Sequence, residues 1–158
     1  GNLPYNISTP LIFHLLGFAD LIEDMYFMLQ LEVVQRLTAV PNSRHWGRLA
    51  IMAQYRAQTE LLFEVPPEAF DPPPRVQSAV VRLTPHERPL YPGCDDERLA
   101  SVVRAAFAQR RKTLRNNLQG LIDAQALEGA GIDPSARAET LAMSDFVRLA
   151  GMLSRRGD

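Results

Sequence analysis

Asn2, Leu3, Pro4 and Tyr5 stand at the head of a 158-residue chain. They are the residue types needed to methylate a planar exocyclic amine. Such an amine, the N6 group of adenine for instance, is a poor nucleophile because its lone pair is delocalised into the ring. Accepting hydrogen bonds from both amine hydrogens favours a more pyramidal nitrogen with an available lone pair. The Asn2 side-chain oxygen is one acceptor. The Leu3 carbonyl is the other, since Pro4 pushes the residue before it into an extended conformation and brings no competing N–H. Tyr5 offers a flat face for a base, and such stacking is worth roughly 1–3 kcal/mol per base. A site of this kind works by position and electrostatics and needs no base of tuned pKa. The same stretch also reads as a proline turn leading into a helix, with Ser8 or Thr9 as N-cap and Pro10 in the first turn. The two readings are compatible.

The elements around this loop follow from periodicity. Thr9 to Ile22 is expected to be a helix, with Leu11, Ile12, Leu15, Leu16 and Leu21 as its apolar positions. Met25 to Val34 is a near-continuous apolar run that suits a buried strand. Within it, Glu32 must be paired or hydrogen-bonded, with Arg36 or a loop amide as partner. A short helix is expected over Arg36–Val40 and another over Trp46–Tyr55. Leu61–Val65 and Val76–Leu83 read as strands joined by a Pro-rich loop too short for a crossover, so they should pair antiparallel. Thr84 to Gly93 reads as a linker. A helix starting at Asp95-Asp96-Glu97, with acid at its positive end, is expected to run to Ile122. Short helices follow at Ala124–Gly129 and Ala136–Ala142, and Ser144 caps a last one.

Composition bounds the possibilities. Hydrophobic residues make up 46% and charged residues 22%, as in a globular chain. Net charge is −1, so only the distribution of charge argues for a polyanion partner. Arg104, Arg110, Arg111, Lys112 and Arg115 form the one dense basic cluster, with no acid between Glu97 and Asp123. On one continuous helix, Arg104, Arg111 and Arg115 share a face and suit phosphate contacts; a solvated helix face is the plain alternative. Asn116-Asn117 suits either RNA or local backbone capping. Trp46 suits either an RNA contact or packing at a helix start. His14, His45 and His86 are too scattered to hold a metal. A lone Cys94 excludes a disulfide framework and fits a reducing, cytoplasmic setting. There is no apolar run of membrane-spanning length and no signal-peptide pattern.

Several motifs occur in one order: Asn2-Leu3-Pro4-Tyr5-Asn6-Ile7-Ser8, Gln30-Leu31-Glu32-Val33, Trp46-Gly47-Arg48-Leu49, Phe70 through Ser78, Arg110 through Leu118, and Arg137-Ala138-Glu139-Thr140-Leu141. Together they resemble the bacterial KsgA-type 16S rRNA adenine N6,N6-dimethyltransferases over essentially the whole chain. The resemblance implies an α/β fold, the C-terminal portion of a Rossmann-like class I methyltransferase sheet followed by a small all-α domain. The implied limits are 1–85 for the first part and 86–158 for an RNA-docking domain. It implies S-adenosylmethionine as methyl donor and two adjacent adenosines of a hairpin near the 3′ end of 16S rRNA, in the 30S subunit or its precursor, as substrate. Asn2, Leu3, Pro4 and Tyr5 match the catalytic loop, with Asn2 also near the cofactor. Phe70 matches an aromatic beside the target base; without the resemblance it reads as an apolar plug at a strand end. Arg104, Arg110, Arg111, Lys112, Arg115 and Asn116 are the expected RNA contacts.

The family's Gly-rich cofactor loop and its ribose- and adenine-holding acids precede the catalytic loop, so the main cofactor motifs are expected to lie outside this sequence. Gly129-Ala130-Gly131 follows no strand and is no substitute. On this view the chain is a fragment, weak in cofactor binding. The intact enzyme is expected to be monomeric. The fragment is expected to self-associate through an unpaired, apolar edge of Met25–Val34. Two other functions fit part of the pattern: a 23S rRNA adenine methyltransferase of the macrolide-resistance type, which shares the Asn-Leu-Pro-Tyr loop, and an RNA-binding module without activity.

Overall fold

The computed structural model describes residues 1–153. Contacts divide the chain into two compact units. The first takes Gly1–Ala39 and Met52–Leu90; the second takes Val40–Ile51 and the residues from Tyr91 on. The grouping of Val40–Ile51 with the later residues has a physical basis: the Asn42 N–H donates to the Glu139 carbonyl at 2.8 Å, and Trp46 Nε1 donates to the Leu141 carbonyl at 2.9 Å.

The first unit begins with α1 (Ser8–Leu16), shorter than the apolar spacing suggests. It stops where the Gly17 N–H splits between the Phe13 and His14 carbonyls, and a 3₁₀ turn at Ala19–Leu21 carries the chain on. β1 (Met25–Gln30) follows and runs straight into α2 (Leu31–Leu37). The expected strand to Val34 is therefore wrong after Gln30. Glu32 is not in a strand: it lies exposed in the first turn of α2, where the helix dipole favours acid, and pairs with Arg36 at 2.8 Å. Between neighbours four residues apart on an exposed helix face, such a pair adds only about 0.3–0.5 kcal/mol. α3 (Arg48–Arg56), which enters this unit at Met52, leads directly into β2 (Ala57–Val65). A 3₁₀ turn at Pro67–Ala69 and the Pro-rich loop then lead to β3 (Ser78–Pro85).

The three strands form a sheet in the order β1-β3-β2, with both pairings antiparallel. Alternation makes Met25, Phe27, Leu29, Ala79, Val81 and Leu83 one buried face, and α2 packs against all three strands. Gln54 Nε2 donates to the Leu37 and Ala39 carbonyls at 2.9 and 2.8 Å, closing the end of α2. The outer edge of β1 is not left open as expected. Gly1 to Leu3 run parallel to it, with the Met28 N–H donating to the Gly1 carbonyl at 2.9 Å.

The second unit is helical. α4 (Asp96–Ala106) starts on Asp95, whose carboxylate accepts from the Arg98 N–H at 3.0 Å. It does not continue to Ile122. Phe107 caps its end, and a new short helix, α5 (Leu114–Asn117), starts on Thr113. α6 (Ala124–Gly129) is capped by Asp123. Ala138–Thr140 is a 3₁₀ turn. α7 (Met143–Met152) starts on Ala142, whose N–H is held by Asp145 Oδ2 at 2.9 Å; Ser144 lies inside the helix and is not its cap. Leu99, Val102 and Val103 of α4 and Phe146 and Leu149 of α7 are fully buried. Phe107 and Phe146 rings meet at 5.7 Å.

Candidate functional site

Sheet pairing fixes the start of the Asn2–Tyr5 loop. Asn2 bridges Met28, and the Leu3 N–H donates to the Met28 carbonyl at 3.3 Å. The loop then turns: the Pro4 carbonyl accepts from the Ile7 N–H at 3.2 Å, and the Tyr5 carbonyl accepts from Ser8 Oγ at 3.1 Å. Ile7, not Ser8 or Thr9, is the N-cap of α1, and it makes no side-chain capping bond. Among the described residues, neither the Asn2 side chain nor the Leu3 carbonyl takes part in a hydrogen bond, so both acceptors remain available. Tyr5 is 73% exposed, which leaves its ring free to stack.

Beside the loop lies a cleft of about 120 Å³, lined by Asn2, Leu3, Tyr5 and Ser8, by Met28 to Gln30 of β1, and by Pro74 and Val76 of the Pro-rich loop. Sites that engulf a small organic molecule measure roughly 300–1,000 Å³. This cleft is smaller than that range. Phe70 is half-buried at the end of the Pro67–Ala69 turn and is not among the residues lining the cleft. Gln77 Nε2, on the same loop, bonds to Glu64 at 2.7 Å.

The basic residues are arranged differently from the expected helical face. Arg104 lies in the last turn of α4, Arg110 to Lys112 lie in the turn after it, and Arg115 lies in α5. The break has a clear cause. Asn117 Nδ2 donates to the Ala106 and Gln109 carbonyls at 2.8 and 2.9 Å, satisfying acceptors left open at the helix end. Asn117 is thus a backbone cap, while Asn116 is exposed on α5. Arg110 is not an unneutralised cation either. It pairs with Glu139 at 3.3 Å and donates to the Arg44 and Trp46 carbonyls. Distance in sequence hid Glu139 from a local count of acids.

Arg110, Arg111 and Lys112 line an open concavity of about 540 Å³ together with Gln109 and Arg137. Among the described residues, Arg111, Lys112 and Arg137 make no ion pair. Arg137 carries no periodic or spacing signal that marks it as a functional residue; its motif does recur in the resemblance. Arg115 lies near Asp133, whose carboxyl is held below its ordinary range by the Ser135 hydroxyl, then the Ser135 N–H, with a smaller contribution from Arg115. Trp46 is buried, so it packs and does not face RNA. No cluster of metal-ligating side chains occurs among the described residues, and no helix there is long and apolar enough to cross a membrane.

A family model described as "Ribosomal RNA adenine dimethylase" matches residues 1–155. The "Ribosomal RNA small subunit methyltransferase A" of Pseudomonas putida is 60% identical over 154 residues, covering 98% of this chain and 58% of that protein. That of Alcanivorax borkumensis is 58% identical over 152 residues, covering 96% of this chain and 54% of that protein. The chain thus spans little more than half the length of these relatives. Among solved structures, a dimethyladenosine transferase from Plasmodium falciparum matches with a TM-score of 0.80 at 25% identity, covering 94% of this chain and 63% of that one. A 23S rRNA methyltransferase, ErmE, matches with a TM-score of 0.71 at 27% identity, covering 97% and 63%.

Proposed function

The chain belongs to the ribosomal RNA adenine dimethylase family, and we propose that it is the acceptor-base and RNA-docking part of an enzyme that dimethylates N6 of two adjacent adenosines near the 3′ end of 16S rRNA. The observation that carries this reading is the pair of open acceptors, Asn2 Oδ1 and the Leu3 carbonyl, on a loop pinned to β1. They receive the two amine hydrogens of the target adenine and orient its lone pair. Tyr5 stacks on the extruded base, with Phe70 as the second aromatic beside it. After one methyl is in place, a single N–H remains to orient the nitrogen for the second.

When bound, S-adenosylmethionine supplies an electrophilic methyl group. Asn2, which lines the cleft beside the loop, is the residue proposed to face its methyl-bearing end. Residues 1–85, apart from the Val40–Ile51 segment that groups with the helical unit, are proposed as the C-terminal part of the methyltransferase domain, and 86–158 as the docking domain. Docking falls to Arg104, Arg111, Lys112, Arg115, Asn116 and, from its position in the concavity, Arg137, with Arg110 bracing the turn. The partner is 16S rRNA in the 30S subunit or its precursor, in the cytoplasm, and the complete enzyme works as a monomer. Self-association of the isolated chain would now use the open edge at β2, where Leu62 and Phe63 are exposed.

The test supplies the complete protein carrying this chain with labelled methyl donor and either small-subunit particles or naked 23S RNA. Label is expected in dimethyladenosine of 16S rRNA. Label confined to 23S RNA would transfer the assignment to the ErmE-like reaction, and binding without label would leave only an RNA-binding module.

A further inference from the structure

Ser8 is the one buried polar side chain among the described residues, at 2% exposure. A buried hydroxyl without a partner is costly, and alanine is the better helix former. Its hydroxyl does not cap α1, whose N-cap is Ile7. It points back instead, and Oγ donates to the Tyr5 carbonyl at 3.1 Å. Ser8 also lines the cleft next to Asn2 and Tyr5. The Tyr5 ring is largely exposed, so packing does not hold it. What is held is its backbone: by the rigid φ of Pro4 before it, by the Ile7 N–H on the Pro4 carbonyl, and by the Ser8 hydroxyl on its own carbonyl.

We propose that Ser8 is a positioning residue for methyl transfer, clamping the Tyr5 backbone so that the exposed ring is already placed to receive the target base. The idea rests on the amine-acceptor reading of the Asn2–Tyr5 loop. Without the clamp, the loop gains freedom and the base must order the ring as it binds. The lost term belongs to base placement, so it reduces turnover and leaves docking through the phosphate contacts unchanged. Threonine keeps the hydroxyl and serves as the conservative replacement.

The experiment uses the complete protein with 3-fluorotyrosine incorporated, the Tyr5 resonance being identified with Tyr5→Phe. Ser8→Ala should broaden or average that resonance and leave the other tyrosines unchanged. Turnover on 30S particles should fall about five- to tenfold, the size of one lost neutral hydrogen bond, with 30S affinity unchanged. Ser8→Thr should restore both the resonance and turnover. If Ser8 acts through Tyr5, the double variant Ser8→Ala/Tyr5→Ala should be no slower than Tyr5→Ala alone. An unaltered Tyr5 resonance in Ser8→Ala, or losses that multiply in the double variant, would overturn the proposal. A wild-type protein that methylates no RNA would instead defeat the dimethylation reading, and the fluorine spectrum would still decide the clamp.

Discussion

At the Asn2–Tyr5 loop the groups proposed to act on the base are neutral, and backbone pairing to β1 holds them in place. In the concavity of the helical unit they are cations on flexible stems, and one of them, Arg110, is already committed to Glu139 and two carbonyls. A neutral acceptor acts only at one distance and angle, so its place must be rigid. A cation acts on a polyanion over several ångströms and through salt, so its place can be loose. On the proposed reading, the first region therefore carries the chemistry and the second the docking. Variants in the two should fail in different ways.

The largest effect is expected for Asn2→Ala in the complete protein. Removing one preorganised polar contact from a reacting centre costs roughly 10²–10³ in turnover. Next come Tyr5→Ala and Phe70→Ala. Stacking of roughly 1–3 kcal/mol per base sets the loss, which should appear in turnover far more than in 30S affinity. Comparable losses in both quantities would mean that the rings belong to docking. Phe70 is the sharper of the two, because it does not line the cleft beside Asn2 in this structure; a silent Phe70→Ala would restrict the aromatic role to Tyr5.

Within the basic region, Arg111→Ala and Arg137→Ala should each lower the slope of log affinity against log salt by roughly 0.7–0.9. Arg110→Ala should weaken binding without changing that slope, since its charge is spent inside the unit. Equal slope changes for all three would show that Arg110 also reaches phosphate. The smallest effect concerns Asp133. Its folded-state pKa is lowered, first by the Ser135 hydroxyl, so its contribution to stability is present above the ordinary carboxylate pKa. It fades as pH falls through the lowered value. Melting temperature followed down the acid limb should drop slightly less in Asp133→Asn than in wild type; identical limbs would mean that the exposed carboxylate contributes nothing.

The two regions also differed in how far the sequence revealed them. The turn at Asn2–Tyr5 was legible because Pro4 constrains its own neighbourhood. The antiparallel pairing of β2 and β3 was legible from the short loop between them. The switch at Leu31 was hidden because an apolar run that changes from strand to helix keeps the same composition; the pairing of Glu32 with Arg36 four residues on was the available signal. The break after Ala106 was hidden because the apolar spacing continues past it, while the Thr113 cap and the Asn117 side chain that cause it look ordinary in sequence. Arg110 could not be told from Arg111 without knowing that Glu139 returns to it. Local turns and the pairing of neighbouring strands were readable; contacts made by segments far apart in sequence were not.

The division between chemistry and docking is tested most directly by single-turnover methyl transfer at saturating 30S, measured with 30S affinity, for Asn2→Ala and for Arg111→Ala/Arg137→Ala in the complete protein. The expected result is crossed: Asn2→Ala keeps its affinity and loses its rate, whereas the double arginine variant loses affinity and keeps its rate once saturated. Parallel loss of rate and affinity in both variants would contradict the account.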